Sequence, residues 1–115
     1  MAVLLGAMLI TGCAVVDVTK TAKGHYDVTN PNDIEILATR PDRAYEELGT
    51  VTASQFMPQQ TATMHNAIRS KAAPLGANAV ILITTGILPN GRQWANGVAI
   101  RWKDQPQPNG GAMTR

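Results

Sequence analysis

Few side chains in this 115-residue chain could do chemistry. Cys13 is the single thiol, a soft nucleophile that no second cysteine can tie into an intramolecular disulfide. Glu46 and Glu47 are adjacent carboxylates, but neighbours on a strand point to opposite faces, so they cannot flank one substrate as acid and base. His25 lies among small and polar residues, and His65 shares a polar helix face with Asn66, Arg69, Ser70 and Lys71. Both read as solvated imidazoles. The sequence holds no glycine-rich phosphate loop and no His, Cys and carboxylate set at metal-ligand spacing, so no catalytic group, metal or cofactor is expected. A net charge of +2 is spread over scattered Lys and Arg with no dense run, and no nucleic-acid partner is expected.

The surroundings of Cys13 decide what its sulfur can meet. Met1 to Ile10 contains no charged residue. It is about as long as the apolar core of a secretory signal and well short of the roughly 20 residues a helix needs to span a bilayer. Ile10-Thr11-Gly12-Cys13 follows, and this tetrapeptide resembles the lipobox of bacterial lipoproteins. The resemblance implies cleavage before Cys13, thioether attachment of a diacylglyceryl group to its sulfur, and a further acyl chain on the freed amine. Thr11 and Gly12 are small enough for a narrow peptidase site. Each buried methylene contributes about 0.8 kcal/mol, so two or three chains hold a protein at a membrane essentially for good. Export signals normally open on Lys or Arg, and Met1-Ala2-Val3 does not, which leaves the true start of the leader open. Ala14 in place of Asp resembles the pattern that permits outer-membrane sorting, facing the periplasm.

Beyond the leader, residues 13–32 are mostly small or polar and read as a flexible tether with a root-mean-square span of about 25 Å. Val15, Val16 and Val18 alternate enough to form a short edge strand as well. Residues 33–103 form the expected domain. Ile34, Ile36 and Leu37 fit a half-buried strand, and residues 45–53 a second, with Leu48 and Val51 in the core and Gly49 at a bulge or close approach. Met64, Ala67, Ile68, Ala72 and Leu75 recur at helical spacing, with Pro74 and Gly76 ending the helix. Ala79-Val80-Ile81-Leu82-Ile83 reads as the central strand. Asn90-Gly91 suits a type I′ hairpin, and residues 94–103 return, with Val98, Ile100 and Trp102 on one side and Ala99 and Arg101 on the other. Residues 104–115, rich in Gln, Pro and Gly, are expected to be a disordered tail. The fold expected is α+β: one sheet of about four strands in the order ββαββ with a helix on one face.

Tyr45-Glu46-Glu47-Leu48-Gly49-Thr50-Val51, followed by Ala67-Ile68-Arg69-Ser70-Lys71-Ala72-Ala73-Pro74-Leu75-Gly76-Ala77-Asn78-Ala79-Val80, resembles the signature of small bacterial envelope lipoproteins related to the Rcs stress-sensor lipoprotein. The resemblance implies an α+β domain held at the outer membrane in contact with envelope proteins. The sensor's domain cysteines and Pro-rich basic linker have no counterpart here.

Three functions compete. The first is a non-catalytic interaction or sensing module, anchored in membrane lipid through acylated Cys13 and contacting an envelope protein through its surface or through residues 55–63. Trp94 and Trp102 are candidate contacts there, with a core role favoured for Trp102 and a half-buried edge role for Trp94. The second is a small periplasmic enzyme with an unrecognised site. The third is a structural lipoprotein that forms a weak homo-oligomer through an open sheet edge.

Overall fold

The computed structural model describes residues 14–104. The expected leader, Cys13 and the expected tail from residue 105 on lie outside them. The fold is α+β, with one mixed sheet and one helix, as the hydrophobic periods require. The strands are β1 (Val15–Lys20), β2 (Glu35–Leu37), β3 (Tyr45–Phe56), β4 (Ala79–Ile87) and β5 (Gln93–Trp102), and helix α1 (Thr61–Ala72) follows β3. They are arranged β1-β3-β5-β4-β2, with β2 parallel to β4 and every other pair antiparallel.

The strand count is therefore five where the sequence suggested about four, and the difference lies in the supposed tether. Val15 pairs with Ser54, and the ladder continues to Lys20 opposite Gly49. Val16 packs toward the main core, and the N–H groups of Thr21 and Ala22 both donate to the Leu48 carbonyl. The chain stays attached beyond the strand. Thr29 donates its N–H to Ala73 O (3.1 Å) and its hydroxyl to Ala77 O (2.7 Å), and Asn30 caps a 3-10 turn, Pro31–Asp33. Apart from the Asn30 cap, these bonds are made to residues more than 25 positions away, so a local reading of small polar residues sees only their turn chemistry.

Helix α1 lays Met64, Ile68 and Ala72 on the sheet, against Leu48, Val51, Ala53, Val80, Ala95 and Ala99. The alanines on the sheet side leave room for the larger helix side chains, and burying Ile68 alone contributes about 1.5–3 kcal/mol. Pro74 tightens the chain into a 3-10 turn, Ala73–Leu75, and Gly76 ends it at φ +86°. On the other sheet face Ile81, Ile100 and Trp102 form a second buried cluster with Leu37, Tyr45 and Val98.

Two further expectations are corrected. The central strand is β5, which has ladders to both β3 and β4, whereas β4 has an outer neighbour only over Ala79, Val80 and Ile81. Burial on both faces made β4 look central, but burial does not report hydrogen-bonded neighbours. The β4–β5 connection is not type I′. Asn90 keeps a negative φ, Gly91 alone turns left-handed at +87°, and Gly91 N–H donates to Leu88 O at 2.8 Å. Pro89 fixes φ near −65° at the first central position, which selects a type I turn followed by a left-handed glycine.

Candidate functional site

The helix-facing side of the sheet ends in a polar group that the hydrophobic pattern does not announce. Glu46 on β3 lies opposite Arg101 on β5. Arg101 is 4% exposed. Its guanidinium stacks on the Tyr26 ring at 4.7 Å and donates to Gly76 O at 3.2 Å. Tyr26 in turn donates its hydroxyl to Glu46 Oε1. That hydrogen bond, with burial adding to it, raises the Tyr26 phenol above its ordinary value of 10.0. A buried arginine is tolerated when its charge is shared among acceptors and a ring face, so the group reads as a clasp fastening residues 21–30 over the Gly76 turn.

Beside it, at the end of the sheet where β2 and β4 begin, is an open cleft of about 340 Å³ lined by Thr29, Asp33, Glu35, Arg43, Asn78 and Trp102 among others. Asn78 Oδ1 accepts the Trp102 backbone N–H at 2.9 Å and the Asn78 backbone N–H donates to Ile100 O at 2.8 Å, which locks the rim. Arg43 lies over the Trp102 ring at 4.4 Å and pairs with Asp104, with Nη2 to Oδ1 at 2.7 Å. Hydrogen bonding from Arg43 holds the Asp104 carboxyl below its usual 3.8. Both partners are exposed, Arg43 by about half and Asp104 by about two-thirds, so the pair adds little stability. The cleft offers two carboxylates and a cation whose charge is already shared. It could hold a small polar group; its lining includes no thiol, Ser, His or Lys, and its one hydroxyl side chain, Thr29, donates to Ala77 O.

The residues singled out in the sequence do not converge. Ile10, Thr11, Gly12 and Cys13 lie outside the described residues. Glu46 reaches Tyr26, while Glu47 faces the other way toward Arg40, at 3.9 Å. His25 is exposed beside Lys20, with Nζ 3.3 Å from Nδ1. His65 is half-buried on α1, and burial, helped by the Arg69 charge, lowers its pKa from 6.5. Among the described residues no group of three or more His, Cys, Asp and Glu is placed to hold a metal ion, and no helix is long and apolar enough to cross a membrane. Trp102 is buried, whereas Trp94 is half-buried with its indole across Gly86. Sequence reasoning missed the Arg101 clasp. Its one local signal was Arg101 on the alanine side of an alternating strand.

No family model matches this chain, and no curated protein matches it. A solved structure of a Francisella virulence factor, FvfA, in an orthorhombic crystal form, is similar to it with a TM-score of 0.60 and 14% identity, over 76% of this chain and 97% of that one. The likeness is one of fold.

Proposed function

We propose that the chain is a bacterial lipoprotein that holds a non-catalytic α+β interaction or sensing domain at a membrane of the cell envelope. The observation that carries this reading is Ile10-Thr11-Gly12-Cys13 at the end of an uncharged apolar leader. Two features support the non-catalytic part: Glu46 and Glu47 face apart, and the Thr29 hydroxyl in the cleft beside Trp102 donates to the Ala77 carbonyl, not to a carboxylate. The Ala14 pattern favours the outer membrane, with the domain facing the periplasm and an envelope protein as its partner.

Expression of the full chain in a bacterial host with labelled palmitate tests the anchor. Label should enter the native chain and be absent from Cys13→Ser, which should leave the membrane fraction. Unlabelled native protein, or a Cys13→Ser chain still bound to lipid, would refute it.

A further inference from the structure

The charges of this domain are segregated along the sheet. Of the eight acidic residues in the chain, Asp17 lies midway along β1. The others gather at the end where β2 and β4 begin and β5 finishes: Glu35 opposite Ala79, Glu46 opposite Arg101, Asp104 against Arg43. The other end is built from residues 14–16, 53–62 and 85–95, and Arg92 is the single charged side chain in those segments. Arg92 Nη1 donates to the Gln55 carbonyl and packs against the turn.

That uncharged end is also apolar. Val15 is 42% exposed and Ile87 65% exposed, and Leu88, Pro89 and the half-buried Trp94 accompany them at the β4–β5 hairpin. Register places them together: Val15 pairs with Ser54 near the end of β3, Gly86 with Trp94, and Ile87 with Gln93. The same end carries the attachment point, because Val15 follows Cys13 by two residues, at most about 7 Å of extended chain. An acylated Cys13 therefore leaves the folded sheet almost no slack, and the first surface to meet the bilayer is the one without carboxylates.

We infer that this end of the domain, with Ile87, Leu88, Pro89 and Trp94 at its tip, is a lipid-contacting surface that sits in the headgroup layer beside the Cys13 anchor. The proposal rests on the lipoprotein reading. Exposed apolar side chains and an indole at a membrane boundary bury area there while the indole N–H stays hydrated. An anionic headgroup layer repels carboxylates, which accords with their placement at the far end, pointing away from lipid.

The test uses the acylated full chain, purified from membranes and reconstituted into vesicles of phosphatidylethanolamine and phosphatidylglycerol brominated just below the headgroup. Emission from Trp94 should be quenched. The quenching should vanish in Trp94→Phe and fall in Ile87→Glu, whose exposed side chain the fold does not need. Intact mass of each sample reports acylation separately. Acyl mass with Trp94 unquenched, or quenching insensitive to Ile87→Glu, overturns the contact and leaves the anchor standing, whereas absence of acyl mass overturns both. Amide protection of residues 87–92 in native envelopes that disappears in pure lipid assigns this end to a protein partner and also overturns the proposal.

Discussion

Gly76→Ala asks whether the turn between α1 and β4 is held by packing as tight as the geometry indicates. The glycine sits at φ +86°, and a Cβ added there would lie 2.5 Å from Tyr26 Cβ and 3.0 Å from the Asp27 carbonyl oxygen. The left-handed backbone costs an alanine about 1–2 kcal/mol. Neither steric neighbour is the tip of a flexible side chain, so displacing them adds about 1–3 kcal/mol of overpacking. The sum, roughly 2–5 kcal/mol, is a large part of the 5–15 kcal/mol that holds a typical small domain. With a urea slope of about 2 kcal/mol per molar, the unfolding midpoint should fall by roughly 1–2.5 M, read by tryptophan fluorescence. The Tyr26 contribution separates in a double-mutant cycle with Tyr26→Gly, which removes the clashing Cβ and leaves the torsional cost and the Asp27 carbonyl contact. In that background Gly76→Ala should cost clearly less, the torsional part of about 1–2 kcal/mol plus what remains of the Asp27 carbonyl contact. A midpoint that barely moves, or an equal cost in both backgrounds, would show that the Tyr26 contact is not tight.

Two other outcomes follow from the same packing. Gly49→Val places a Cβ 2.4 Å from Thr19 O and 3.0 Å from Lys20 Cα, both backbone atoms of β1; the strand should lift away, and hydrogen exchange should show fast amides at residues 15–20 while α1 stays protected. Unchanged protection of β1 would contradict its assigned pairing. His65 is held below its unfolded value of 6.5 by burial, so its neutral form is favoured in the folded state. That stability is present above about pH 6.5 and is lost as pH falls through the folded value, because the unfolded chain takes up its proton first. Urea midpoints at pH 5 and pH 8 should therefore differ more for the native chain than for His65→Gln, and an equal or smaller difference would refute the buried imidazole.

Local pattern alone was enough for α1, the first half of β4 and the return strand. Met64, Ile68 and Ala72 have one burial geometry at helical spacing, and Val98, Ile100 and Trp102 have one at strand spacing, wherever the rest of the chain lies. Gly76 and Pro74 likewise mark a helix end through their own backbone restrictions. The sequence by itself also excludes an intramolecular disulfide at Cys13, since the chain has no second thiol.

Tertiary structure decided the rest. Whether residues 15–20 are tether or strand depends on β3, some 30 positions away, because an edge strand gains its hydrogen bonds only when a partner is presented. The parallel β2 to β4 pairing and the central place of β5 are relations between segments, and no residue within either segment encodes them. The clasp of Tyr26, Glu46 and Arg101 joins three stretches of chain, and a buried guanidinium becomes tolerable only once a ring and a carbonyl are brought to it. The same holds for charge: of eight carboxylates that look scattered along the chain, the fold brings seven to one end of the sheet and leaves Asp17 midway along β1, so residues 14–16, 53–62 and 85–95 carry none.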